Sequence, residues 1–379
     1  MPPELQFGMS MLRQRRQLAP VVTIPRTAPL ALGARPTHPL ESQHQTLTPS
    51  STPFENAAQP ANSGTYTERA EADWPVPWTP VEGTRTGVAA WLEYAAFRGC
   101  IWCAGLLPEY LFKRFVAGLA RISRRLDSRH RESARVYLRQ AFGEGPSEEE
   151  IEERVLQAYR HLIQLTIRSG RWKKYVLADD WHERCELELS PEFEALRGKG
   201  SIMICPHVGD WEVAGAFLER LGYGPIYAIA KPPKNRPLSR HVQKTREGRG
   251  IRMLPRRGGI RHAARILAGG GLLGLMIDQR TRNRGVIVPF FGRPALCDRS
   301  AGVLLKRLKV PITIGAVCLT DKPYHVRIDA QTVLQPEDFA RHSVEEIITR
   351  VNTELEALIL KQPDQYLWLH DRYRDAPEK

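Results

Sequence analysis

The sequence predicts an α/β fold built on a mostly parallel sheet flanked by helices, preceded by basic helices and a disordered N-terminal extension. Three observations predict it. Beyond Gly200, short apolar runs alternate with longer stretches of helical period. From Trp91 to about Arg139, apolar residues recur at helical spacings among many arginines. The first 85 residues carry no sustained apolar period.

Residues 1–85 are rich in Pro, Ser, Thr, Ala and Gln and cannot bury enough surface to offset chain entropy. They read as a disordered extension. Arg13, Arg15, Arg16, Arg26 and Arg35 stand against only Glu4 and Glu41 in the first fifty residues, a balance that also fits a transit segment. A start placed too early, with Met9 or Met11 as the true one, explains the segment equally well.

The stretch from Val88 to Leu107 is apolar but broken by Glu93 and Arg98 and followed by Pro108, so it reads as an amphipathic or membrane-resting helix rather than a span. Next come Leu111, Phe115, Leu119, Ile122 and Leu126 at spacings of three and four, with Lys113, Arg114, Arg121, Arg124, Arg125, Arg129, Arg131 and Arg135 between and beyond them. A basic amphipathic helix of this kind lies on an anionic bilayer; the same pattern also describes a domain helix with a solvated charged face. Ser147, ahead of Glu148, Glu149 and Glu150, reads as the N-cap of a further helix.

In the second half, SIMIC, PIYAIA, LLGLMID and PITIGAVCL read as buried strands. Helices are expected around Glu212 to Leu221, Ser239 to Gly248, Ile260 to Ala268 and Ala301 to Leu308. YHVRIDA adds a strand, Val344 to Lys361 a closing helix and QYLWLH a last strand. This alternation argues for a sheet with helical crossovers.

The net charge of +13 favours anionic partners such as phospholipid headgroups, acidic carrier proteins or nucleic acid. Six cysteines lack the spacing of a disulfide framework or zinc site; Cys100 and Cys103 read as packing cysteines, and no metal is assigned.

Pro206 ends the SIMIC strand and Asp210 can cap a helix beginning at Trp211, which puts His207 on a loop at the carboxyl end of the sheet, where open α/β sheets place their sites. Glu212 then falls in the first helical turn, where the helix dipole favours its ionised form. An ionised carboxylate there can fix the imidazole tautomer and leave the other ring nitrogen as a base. Asp210 competes for that role on spacing, and a loop histidine beside a surface glutamate is the bland reading. No Gly-x-Ser-x-Gly elbow is present, and Cys205 precedes His207 on the strand, so the nucleophile is expected to come from the substrate.

The stretch CPHVGDWEVAG resembles the His-x4-Asp/Glu motif of the lipid A biosynthesis acyltransferase family, whose related members acylate phosphatidylinositol mannosides. GGGLLGLMIDQRTRNRGVIVPFFGRPA looks like that family's Asp-Gln segment and Pro-Phe-Phe-Gly stretch, and QYLWLHDRYR like its closing Trp-x-His segment. The resemblance covers roughly residues 88–374. It implies a glycerolipid acyltransferase-like domain over 86–374, with membrane-associating helices at 86–140 and an α/β catalytic core at 141–374.

The resemblance also implies His207 as general base and Glu212 as its orienting carboxylate, without a cofactor. Asp278 and Gln279 match the second block, Arg246 looks like a recurring arginine of the intervening helix, and by the resemblance all three are expected to bind substrate. By charge, Arg246, Arg280, Arg282 and Arg284 suit phosphate on the acceptor or on the donor's pantetheine arm. Phe290, Phe291 and Gly292, with Pro289, are candidates for an acyl or sugar pocket, with core packing the alternative for the phenylalanines. After Pro294 and Ala295 the chain departs from the family with Leu296, Cys297, Asp298 and Arg299, and Asp371 stands where a second basic residue is common.

The expected activity is transfer of a fatty acyl group from an acyl carrier protein or coenzyme A thioester to a lipid or glycolipid hydroxyl. The expected location is the cytoplasmic face of the inner membrane, peripheral or shallowly inserted. A thioesterase or esterase using the same two residues is the first rival. A nucleic-acid-binding protein ranks lower, because aromatic residues are not interleaved with the basic ones.

Overall fold

The computed structural model describes residues 83–169, 171–256, 258–281 and 285–374, with Lys173 by its backbone alone. The expectations for residues 1–82, and for Arg282 and Arg284, lie outside the described residues.

The strands are β1 (Cys185–Leu189), β2 (Ser201–Ile204), β3 (Ile226–Ala230), β4 (Ile251–Pro255), β5 (Leu272–Leu275), β6 (Val286–Phe290), β7 (Arg293–Cys297), β8 (Ile312–Leu319) and β9 (Val326–Leu334). A seven-stranded sheet runs in the order β1-β9-β8-β2-β5-β3-β4, and β6 and β7 form a separate hairpin. From β8 to β4 all neighbours are parallel. β9 turns back antiparallel on β8, and β1 follows β9 in parallel, so the two strands at one edge run against the other five. β2 is buried along its whole length and β8 along all but its last residue, as expected of strands covered on both faces.

Helices of six residues or more are α1 (Val88–Leu106), α2 (Glu109–Leu126), α3 (Ser128–Phe142), α4 (Glu148–Ser169), α5 (Trp211–Arg220), α6 (Arg236–Glu247), α7 (Ala263–Ala268), α8 (Ser300–Leu308) and α9 (Val344–Lys361). Ser147 begins α4 as a capping box, exchanging hydrogen bonds with Glu150. Ser343 and Glu346 do the same for α9. α5 packs on β8 and β3, while α9 packs on β8 and the β6–β7 hairpin.

The first three helices behave differently from one another. α3 sends Ala134, Tyr137 and Leu138 into the same core as the strands. α2 buries Phe112, Val116 and Ala120 and turns Leu111, Phe115, Ile122 and Leu126 outward. That outward row is an i, i+4, i+11, i+15 stripe on one side of the helix. Lys113, Arg114, Arg121 and Arg125 are exposed alongside it.

α1 departs from the amphipathic expectation. Only Ala90 and Ala104 are buried, while Val88, Trp91, Leu92, Trp102 and Leu106 face out. Cys100 and Cys103 are exposed rather than packed. Among the described residues no helix is long and apolar enough to cross a membrane. Part of the basic character is neutralised internally: Glu152 of α4 accepts from Arg124 at 2.9 Å and from Arg135 at 2.7 Å.

QYLWLH is not a strand. Pro363–Gln365 is a single 3-10 turn, after which Tyr366 makes one isolated bridge to Val208. Its large apolar residues are spent on packing: Tyr366 and Trp368 are buried against Tyr137.

Candidate active site

β2 and β5 are parallel neighbours whose last residues, Ile204 and Leu275, stand opposite each other. The Cys205 N–H extends the ladder to the Leu275 carbonyl at 3.1 Å, and Pro206, lacking a donor, ends it. Three residues beyond each strand come His207 and Asp278. Equal extension from level strand ends brings them together at the carboxyl edge of the sheet.

The His207 backbone N–H donates to Asp278 Oδ2 at 2.8 Å, and His207 Nδ1 lies 2.7 Å from Asp278 Oδ1. Burial works to raise the Asp278 carboxyl, but the His207 charge, its two hydrogen bonds and the Tyr366 hydroxyl outweigh it and hold the group below its ordinary value. An ionised Asp278 accepts from Nδ1–H, which leaves Nε2 as the basic nitrogen. The Gln279 amide nitrogen stands 3.3 Å from that Nε2, and the Trp211 ring meets the imidazole edge-on at 5.0 Å between centroids. Tyr366 is in turn hydrogen-bonded to Tyr137 at 2.8 Å, so the far side of Asp278 is fixed through two buried phenols.

The loop carrying His207 is locked from several directions. Gly209 has φ +64, and a Cβ there would lie 2.0 Å from the Val317 carbonyl, so only glycine lets the loop approach β8. Its N–H donates to Gln365 O at 2.9 Å, and its carbonyl accepts from His161 Nε2 at 3.1 Å. Burial pushes the His161 imidazole down to about 4, so it is neutral when it donates. The Leu367 N–H closes the loop on the His207 carbonyl at 3.0 Å.

The rival carboxylate, Asp210, is turned away. It accepts from the Trp172 indole N–H, and burial pushes its carboxyl up to about 7 despite Arg249 nearby. It occupies the N-cap position of α5 without capping it by its side chain.

Glu212 does not meet the expectation of orienting His207. From the first turn of α5 it points across to α6, where Arg246 takes both oxygens, Nε reaching Oε2 at 2.7 Å and a terminal N–H reaching Oε1. A two-pronged guanidinium matches both oxygens of a carboxylate in a way that an imidazole edge cannot. Burial works to raise Glu212, but Arg246 first, then Arg249 and His207, keep it lowered. The carboxylate on His207 Nδ1 is therefore Asp278, for which the sequence predicts a substrate-binding role instead.

A cleft of about 460 Å³ opens in front of this constellation. His207, Trp211, Glu212, Arg246, Gln279 and Arg280 line its polar end, and an apolar arm continues beneath α5 past Leu218, Ile226, Ile251 and Leu272. Cys205 also lines it, but burial raises its thiol above the ordinary range, against a nucleophilic role. The Arg280 backbone N–H donates to His370 Nε2 at 3.2 Å; burial pushes His370 down to about 4, which leaves it a neutral acceptor.

Phe290, Phe291 and Gly292 do not line the cleft. Phe290 ends β6, Phe291 and Gly292, both at positive φ, make the hairpin turn into β7, and the two phenyl rings are wholly buried beside Tyr137. Core packing has claimed them. Gln140 and Glu356 bind the Phe291 carbonyl and N–H at 2.7 and 2.6 Å, which holds the unusual backbone in place.

Comparison with known proteins bears on this geometry. Phosphatidylinositol mannoside acyltransferase from Mycolicibacterium smegmatis is 34% identical over 99 residues, which is 25% of this chain and 32% of that protein. The protein of the same description from Mycobacterium tuberculosis is 31% identical over 101 residues, 26% of this chain and 32% of that one. The matched stretch thus spans about a third of these relatives. A solved structure, the 1-acyl-sn-glycerophosphate (LPA) acyltransferase PlsC from Thermotoga maritima, matches over 65% of this chain and 98% of its own at 12% identity, with a TM-score of 0.30. The model of the bacterial lipid A biosynthesis acyltransferase family matches residues 84–375, a stretch that takes in the whole sheet, the cleft and the closing segment behind His207. On that match the chain belongs to the bacterial lipid A biosynthesis acyltransferase family.

Proposed function

We propose that this chain transfers a fatty acyl group from an acyl thioester to a hydroxyl of a lipid or glycolipid, with His207 as general base. The observation that carries the reading is the buried Asp278 fixing His207 Nδ1 at 2.7 Å while the ring borders a cleft with one polar end and one apolar arm. Nε2 takes the proton of the acceptor hydroxyl as its oxygen attacks the thioester carbonyl. The ionised Asp278 stabilises the imidazolium that forms. The tetrahedral intermediate then collapses, the C–S bond breaks, and the imidazolium returns its proton to the departing thiolate. The apolar arm suits an acyl chain.

Glu212 and Arg246 form a wall of the polar end rather than a second half of the dyad. The Arg246 guanidinium keeps the Glu212 carboxylate ionised at this end of the cleft.

The donor is an acyl carrier protein or coenzyme A thioester. The acceptor is a membrane glycolipid, phosphatidylinositol mannoside and a lipid A precursor being the two chemistries that the relatives and the family name suggest. The exposed apolar stripe of α2, flanked by Lys113, Arg114, Arg121 and Arg125, together with the exposed α1, suits an anionic bilayer. We place the protein peripherally on the cytoplasmic face of the inner membrane.

Product analysis of purified, detergent-solubilised protein with palmitoyl-coenzyme A, with and without each acceptor lipid, tests the reading. Acylated lipid is expected only with acceptor, and free fatty acid formed equally fast in both would make the protein a thioesterase.

A further inference from the structure

Lys231 and Arg256 stand one residue beyond Ala230 and Pro255, which face each other at the ends of the parallel strands β3 and β4. Both side chains are exposed and both line the cleft that reaches His207. They emerge at the same carboxyl edge of the sheet as His207 and Asp278, two and three strands away from β2. With strands about 4.8 Å apart, that places them roughly 10 to 14 Å from the reacting centre.

Several other charges of the cleft wall are committed. Arg246 is held by Glu212. Asp298 accepts the Ser300 N–H at 2.8 Å, and its hydroxyl as well, at the start of α8. Among the described residues Lys231 and Arg256 have no acidic partner. Two cations on adjacent strand ends repel unless an anion is shared between them.

We propose that Lys231 and Arg256 form a subsite for a phosphate ester carried by one of the two substrates. This rests on the acyl-transfer reading of the same cleft. Phosphate occurs on the donor's pantetheine arm and in phosphoglycolipid headgroups, in each case removed from the bond that reacts. A guanidinium and an ammonium together suit its several oxygens. Binding a remote phosphate here orients the substrate along the cleft toward His207.

Calorimetric titration of the full chain in detergent, wild type against the Lys231→Gln/Arg256→Gln double variant, tests this. The probes are coenzyme A and glycerophosphoinositol, with pantetheine and inositol as phosphate-free counterparts. Affinity for at least one phosphate-bearing probe is expected to fall tenfold or more in the variant, with the counterparts unchanged within twofold. Loss confined to coenzyme A assigns the donor; loss confined to glycerophosphoinositol assigns the acceptor. Unchanged affinity, an equal loss for the phosphate-free probes, or no binding of either phosphate-bearing probe by wild type overturns the proposal. These titrations do not depend on turnover, so a wild-type protein that transfers no acyl group defeats the functional reading alone.

Discussion

Asp278 and His207 lie 71 residues apart in the chain, yet two hydrogen bonds of 2.8 and 2.7 Å join them, one to the backbone and one to the ring. The carboxylate therefore fixes both where the loop sits and which imidazole nitrogen is basic.

Asp278→Asn preserves shape but removes the anion and presents an amide that cannot hold the Nδ1–H tautomer in the same way. By analogy with other histidine–aspartate pairs, kcat is expected to fall by roughly 10² to 10⁴. The donor KM should stay within a few fold. Steady-state kinetics with both substrates varied reads this, and a kcat within threefold of wild type would remove Asp278 from the mechanism.

Glu212 and Arg246 are predicted to act as a unit. Removing either charge leaves its partner partly buried and unpaired, at a cost on the order of 3 kcal/mol. Glu212→Gln and Arg246→Met should each lower the melting temperature. The double variant should lose less than the sum, with a coupling of about 1 kcal/mol or more. Additive losses in a double-mutant cycle would show that the pair is not energetically joined.

Asp210 makes an opposite kind of prediction. Burial raises its folded pKa to about 7, above the unfolded value of about 4. Between those values the folded state binds more protons than the unfolded, so this group makes stability decline as pH rises from about 4 to 7. Asp278, held below its ordinary value, contributes stability that is present above about pH 4 and lost only as pH falls through its lowered folded value. Asp210→Asn, which keeps an oxygen for the Trp172 indole, should raise the melting temperature at pH 8 by a few degrees and flatten the slope between pH 4 and 7. An unchanged slope would refute this account of Asp210.

Gly209→Ala places a methyl against the Val317 carbonyl at a left-handed backbone position. A loss of about 2 kcal/mol or more in stability is expected, together with a drop in transfer rate, because the loop must move and His207 moves with it. Chemical denaturation and activity on the same preparation check it, and near-normal values of both would show that the loop has slack.

Leu111, Phe115, Ile122 and Leu126 already face outward, so replacing them with serine should leave the melting temperature within a degree or two while weakening co-sedimentation with anionic vesicles. Vesicle binding equal to wild type would remove this stripe from the membrane contact.

The parts of this structure most legible in sequence were the apolar strands. β2, β3, β5 and β8 read as unbroken apolar runs, and in β2 and β8 this follows from burial along nearly the whole strand. β1 and β4 carried Glu186, Glu188, Arg252 and Pro255 and did not look like strands until their neighbours were known. QYLWLH misled in the other direction, since its apolar residues fill an aromatic cluster without joining a ladder. His207 was legible because Pro206 and the helix after Asp210 locate it on a loop. Its partner was not, because the approach of Asp278 depends on β5 being the neighbour of β2, a long-range pairing that no local spacing encodes. Glu212 drew attention by nearness in sequence, while Arg246, one helix away, had the better geometry for it.

The most direct test of the central claim is the rate of acyl-lipid formation by His207→Ala, measured with palmitoyl-coenzyme A and phosphatidylinositol mannoside on protein whose melting temperature matches wild type. A loss of roughly 10³-fold or more is expected, since in the proposed mechanism both proton transfers run through Nε2. A folded His207→Ala variant that transfers within fivefold of wild type would contradict it.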